Sequence, residues 1–139
     1  MSVRVADRGL SSMEYVNNAQ SILFLVKDRI NKYVNKIANE KRYKTFVKSS
    51  TYSVWNSPIY HSQKVYNCCL LANKMRDTNK RLAYLDMASQ NLELLESSVE
   101  TFYSNFRKVV KDKFIILLTE KIDYQKTLLS GCIRKFKEC

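Results

Sequence analysis

Residues 82–110 read LAYLDMASQNLELLESSVETFYSNFRKVV. Leu85, Ala88, Leu92, Leu95, Val99, Phe102, Phe106 and Val109 follow one another at alternating intervals of three and four. Those intervals track the 3.6-residue turn of an α-helix and put all eight side chains on one stripe. The spacing predicts a long helix over about 79–109, buried along that stripe. Upstream, Arg76-Asp77-Thr78-Asn79 is a connection with N-cap chemistry in Asp77 or Thr78. Downstream, Lys111-Asp112 ends the pattern, with Asp112 as the cap of the next helix. Leu82, Tyr84, Met87 and Leu94 are apolar yet lie outside the stripe, which fits either a second contact with another chain or a broad core face.

The same period recurs on both sides. Val16, Ala19, Leu23, Val26, Ile30, Tyr33 and Ile37 form a stripe that Ile22, Leu25 and Val34 widen. Ser11 and Glu14 fit a capping box ahead of it. This predicts a first helix over about 12–38, with residues 1–10 as an N-terminal arm. Asn56-Ser57-Pro58 reads as a helix start, with Ser57 as N-cap and Pro58 in the first turn. A second helix over about 57–75 then places Ile59, Tyr66, Cys69 and Asn73 on one face, with Val65, Cys68 and Ala72 beside it. The segment 44–56 fits an ordered loop, an irregular helix or an extended arm. A fourth helix over about 113–137 points Ile115, Leu118, Ile122, Leu129, Cys132 and Phe136 inward. Gly131 within it marks either late fraying or the close approach of a neighbouring helix. Four such helices with short connections make an all-α, antiparallel up-down-up-down four-helix bundle spanning residues 11–139.

Composition agrees. The 139 residues include only 2 Gly and 1 Pro, too few for the many turns of a sandwich, a barrel or a phosphate-loop α/β fold. With 45% hydrophobic residues a core is within reach. The longest apolar runs have five residues, such as 22–26 and 114–118, against roughly 20 for a spanning helix, so a soluble protein is expected. Arg4, Asp7 and Arg8 interrupt any apolar start, so no signal peptide is expected. Cys68, Cys69, Cys132 and Cys139 include no C-x-x-C and no secreted-style framework. They read as reduced thiols of a cytoplasmic protein.

The inventory for catalysis is poor. His61 stands alone, and no Ser/His/Asp or Cys/His arrangement can be built around it. The Glu-x-x-His pairs of a di-metal bundle are absent. Adjacent Cys68 and Cys69 point about 100° apart on a regular helix and cannot share a metal. No enzyme, metal site or cofactor is expected.

Charge is the informative feature. Twenty-four Lys and Arg stand against 13 Asp and Glu, a net +11. An excess of that size points to a polyanion or an acidic protein surface. It is unevenly spread. Residues 77–100 carry −3, whereas 36–48 carry +4 and 101–139 carry +5. In an up-down bundle the connections between helices 1 and 2 and between helices 3 and 4 share a pole. Lys41, Arg42 and Lys44 are thus expected beside Arg107, Lys108, Lys111 and Lys113. Together with the C-terminal bases Arg134, Lys135 and Lys137, these are the candidate nucleic-acid contacts. Tyr43, Phe46, Tyr52, Trp55 and Tyr60 interleave with bases between Lys41 and Lys64, in the manner of stacking platforms for single strands.

Several short stretches, in order, resemble a known family. They are Asp7-Arg8-Gly9-Leu10-Ser11-Ser12-Met13-Glu14-Tyr15, then Lys41-Arg42-Tyr43, then Ser57-Pro58-Ile59. Ala72-Asn73 before a polar loop, Arg81 opening the next helix, and Leu128-Leu129-Ser130-Gly131 complete the set. The chain is similar to the small basic four-helix-bundle proteins grouped with the ribosomal-RNA intervening-sequence proteins. Within these it most resembles the Avd (accessory variability determinant) proteins of diversity-generating retroelements. Cys132 stands where many members have Trp. The resemblance implies a homopentameric barrel of bundles, binding of template RNA and cDNA, and a reverse transcriptase as partner. It implies a non-catalytic role in mutagenic cDNA synthesis. A second reading is an interaction module, like the intervening-sequence proteins, that binds an acidic protein without a nucleic-acid role.

Overall fold

A computed structural model describes residues 2–39 and 52–137, with side chains from 14 to 39 and from 54 to 136. Its elements are four helices: α1 (Ser2–Asn39), α2 (Tyr52–Lys74), α3 (Thr78–Asn105) and α4 (Asp112–Lys137). α1 packs on α2, α2 on α3, α3 on α4, and α4 on α1, a closed circuit around one core. Glu14 meets Tyr124 at one end of the α1–α4 contact, and Tyr33 meets Phe114 at the other.

The stripes do what their spacing demands. Every member of the α1 series from Val16 to Ile37 is buried, as is every member of the α3 series from Leu85 to Phe102. On α2 the buried line is Ser62, Val65, Cys69 and Ala72 with Cys68, while Ile59, Tyr66 and Asn73 are only half-buried. The face therefore turns toward the residues placed beside the predicted one. On α4, Phe114, Leu118, Ile122 and Leu129 are buried, and Ile115, Cys132 and Phe136 are half-buried.

Several local signals yield to packing. Residues 2–10, predicted as an arm, belong to α1, so Ser11 and Glu14 sit mid-helix and form no helix start. Extending a formed helix adds one hydrogen bond per residue fixed, whereas a new start needs a nucleus. Glu14 instead accepts the Tyr124 hydroxyl at 3.1 Å. α2 starts six residues before Pro58, so Ser57 is not its cap and Pro58 lies inside the helix. Its ring removes the N–H that would reach the carbonyl of Val54. Asp77 does cap α3, accepting the Lys80 amide at 3.3 Å. α3 ends at Asn105, short of Val109, and Asp112 is the first residue of α4, not a cap outside it. At Gly131 an added Cβ would meet nothing within 4 Å, so no neighbouring helix approaches there.

One buried polar residue fills a gap in the α4 stripe. Gln125 is fully buried between Ile122 and Leu129. Its Nε2 donates to the Tyr15 carbonyl at 2.8 Å and to Cys69 Sγ at 3.5 Å, and its Oε1 accepts from Asn18 Nδ2 at 2.9 Å. The amide thus joins α4 to α1 and α2 with its polar atoms satisfied, as burial requires. Cys68, Cys69 and Cys132 are free thiols. Burial pushes the Cys69 thiol up to about 12, with the Gln125 hydrogen bond opposing it.

Candidate functional site

The connection from α3 to α4 is built by its own apolar residues. Phe106, Val109 and Val110 are buried, and the Phe106 carbonyl accepts the amides of both valines at 3.0 and 2.9 Å. The Phe106 amide in turn closes α3 on the carbonyls of Phe102 and Tyr103. With three side chains held inward, Arg107, Lys108 and Lys111 are left at the surface, and all are exposed, as is Lys113 in the first turn of α4. The α4 N-terminus adds the partial positive charge of its free amides to this group. The local carboxylate, Asp112, accepts the Tyr103 hydroxyl, which raises the Tyr103 pKa. Arg107 lies over the Tyr103 ring, 5.6 Å from its centre.

The later part of α1 reaches this end. The Lys111 amide donates to the Tyr33 hydroxyl at 3.4 Å, and the Tyr33 and Phe114 rings are 5.6 Å apart at 60°. Beside them a groove of about 430 Å³ opens between α1 and α4, lined by Leu25, Arg29, Tyr33, Lys111, Lys113, Phe114 and Leu117. Three of these are cations and none is an acid. Arg29 and Lys32 share Asp28, at 3.9 and 3.2 Å.

The predicted site residues therefore divide. Arg107, Lys108, Lys111 and Lys113 come together. Arg134 and Lys135, also exposed, lie near the other end of α4, about 30 Å of helix from Lys113. They do not join the first group, because a straight helix separates them. Lys137 ends α4 beside them, and its side chain lies outside the described residues. Lys41, Arg42 and Lys44 also lie outside the described residues, so only the α1 approach to the shared pole is described. Midway between the ends one cation is paired and another is hydrogen-bonded within the fold. Lys126 places its ammonium 2.9 Å from both Glu96 oxygens, which raises the Lys126 pKa, and Lys121 reaches Ser21 at 2.9 Å.

Of the interleaved aromatics, Trp55 is half-buried against the core. Tyr60 is 52% exposed, with the Lys64 ammonium 5.7 Å from its ring centre and His61 edge-on at 5.2 Å. Tyr43 and Phe46, and the side chain of Tyr52, lie outside the described residues. His61 borders a second groove of about 310 Å³ with Val54, Ser57, Leu94, Ser97, Ser98 and Thr101, and its Nδ1 is buried without a hydrogen-bond partner. Of the apolar residues outside the α3 stripe, Leu82 and Tyr84 are half-buried while Met87 and Leu94 are exposed.

Arg29 and the groove that it lines with Tyr33 and α4 escape the sequence pattern, in which Tyr33 is a core member of the α1 stripe. The only signal for Arg29 is its i, i+4 spacing from Tyr33. Among the described residues, no group of three or more His, Cys, Asp or Glu could hold a metal ion. Among them, too, no helix is long and apolar enough to cross a membrane. No family model matches this chain, and neither does any curated protein or solved structure.

Proposed function

We propose that this protein is a non-catalytic accessory subunit of the Avd kind, which binds RNA or cDNA and a reverse transcriptase in a diversity-generating retroelement. One observation carries the nucleic-acid part. Arg107, Lys108, Lys111 and Lys113 project from a connection whose apolar residues are buried, with the nearby Asp112 engaged by Tyr103. Exposed cations with no carboxylate partner among the described residues neutralise phosphates and release their counterions. The retroelement context and the reverse transcriptase rest on the family resemblance of the sequence. The order of contacts between α1 and α4 supports the antiparallel up-down-up-down bundle. Exposed Phe24, Met87, Leu94 and Ile116 supply apolar surface for self-association, read here as a homopentamer in the cytoplasm.

The second reading is a bundle that binds an acidic protein. It is favoured by the same groove, where exposed Leu117 stands beside Lys113. A labelled single-stranded RNA titrated across a salt series, with mass determined by light scattering, separates the two. The proposed function requires log K to fall with log salt by about 0.7 per phosphate neutralised, on an oligomer. No binding at low salt overturns it in favour of the acidic protein.

A further inference from the structure

We infer that the α1–α4 groove seats one unstacked base of a single-stranded RNA, while Arg29, Lys111 and Lys113 hold the flanking phosphates. This deepens the nucleic-acid reading and rests on it. The groove's chemistry is of two kinds. Its floor is Tyr33 and Phe114, held rigid by burial and by their mutual contact at 5.6 Å. Its wall is Leu117, an apolar side chain left 42% exposed that gains from being covered. Its rim is cationic on both sides, Arg29 from α1 and Lys111 with Lys113 from the start of α4.

That division matches a nucleotide, which has an apolar planar base and an anionic linkage on either side. At about 430 Å³ the groove lies in the range of ligand sites and has room for a base. A base inside a duplex is stacked and paired and cannot enter, so the groove selects single strands where the rest of the basic end takes any phosphate backbone. The Tyr33 hydroxyl accepts from the Lys111 backbone amide at 3.4 Å, so the floor is held against the backbone that carries Lys111.

The test uses the full chain, a 12-nucleotide RNA, an abasic strand of equal length and charge, and an RNA duplex. The single strand binds about tenfold tighter than the abasic one, the low end of a base–aromatic contact because both rings are buried. Leu117→Gln takes the apolar wall from the groove and keeps every cation. It lowers the ratio of RNA to abasic affinity from about tenfold toward onefold. Arg29→Gln with Lys111→Gln and Lys113→Gln lowers affinity for both strands and flattens both slopes. Cross-linking of 4-thiouridine in the RNA to the 113–117 peptide of the unsubstituted protein checks the placement should Leu117→Gln fail to fold. Equal binding of RNA and abasic strand, or cross-links elsewhere, overturns the base site and leaves the nucleic-acid reading standing. No binding of any strand at low salt overturns both.

Discussion

Where α2 passes to α3, Arg81 turns inward. Its Nε donates to the Ala72 carbonyl at 2.9 Å and an Nη to that of Asn73 at 3.4 Å, satisfying the last turn of α2, and its guanidinium lies 5.2 Å from the centre of the Phe136 ring. One cation thereby ties three helices. Where α3 passes to α4, the inward work falls to Phe106, Val109 and Val110, and the cations turn outward. The difference separates charge used for stability from charge left for a partner. A guanidinium on backbone carbonyls is satisfied within the fold, whereas exposed ammonium groups without acids lower their energy by meeting an anion.

The largest expected effect lies at the outward end. Replacing Arg107, Lys108, Lys111 and Lys113 together by Gln should flatten the salt slope for single-stranded RNA by about 3 and weaken binding on the order of a hundredfold. Urea unfolding of the same variant should shift little, because surface charges contribute little to stability. Intact affinity on a folded variant would move the interface elsewhere. The inward end should behave in the opposite way. Arg81→Met should lower stability by about 2 kcal/mol in urea, since hydrogen bonds from a charged group are broken and carbonyls lose their donor. Its RNA salt slope should not change, and a flattened slope would erase the contrast between the ends.

A smaller effect concerns pH. The Cys69 thiol has its ordinary value of 9.0 when unfolded and about 12 when buried, so the fold favours the neutral form. That contribution is complete below pH 9 and is lost as pH rises from 9 toward 12. Stability should fall by about 1 kcal/mol between pH 8 and pH 10, and Cys69→Ala should remove that part of the dependence. Native Cys69 should resist iodoacetamide at pH 8 and react on unfolding, which mass spectrometry of the labelled peptide reads directly. The smallest effect is at Gly131. An added methyl meets open space, so Gly131→Ala should raise the unfolding free energy in urea by up to about 1 kcal/mol through helix propensity alone. A loss of stability would mean that the position carries a contact between chains.

Much of this was legible from residue spacing. The α1 and α3 stripes stand out because every member is apolar, and burial follows them residue by residue. Boundaries were less legible. Ser11 with Glu14, and Ser57 with Pro58, carry start signals, yet both helices run on upstream of them. A cap is worth about 1 kcal/mol, too little to end a helix that adds a hydrogen bond with each residue fixed. The α3 spacing runs on to Val109 although the helix stops at Asn105, because Phe106 and Val109 remain buried in a turn. Gln125 breaks the α4 pattern for a reason invisible locally, since its partners Tyr15 and Asn18 lie more than 100 residues away.

The candidate site shows the same boundary. Arg107, Lys108, Lys111 and Lys113 are close in sequence, so their clustering was readable. That Arg134 and Lys135 stand apart follows from the unbroken length of α4, whereas that Arg29 and Tyr33 stand near depends on how α1 and α4 lie together. By itself the sequence determined four helices, the buried stripes of α1 and α3, and a large positive excess, because helical period and charge are properties of neighbouring residues. Only the tertiary structure decided which cations are satisfied within the fold and which remain free, because that depends on which carbonyl, ring or carboxylate a distant helix brings within reach.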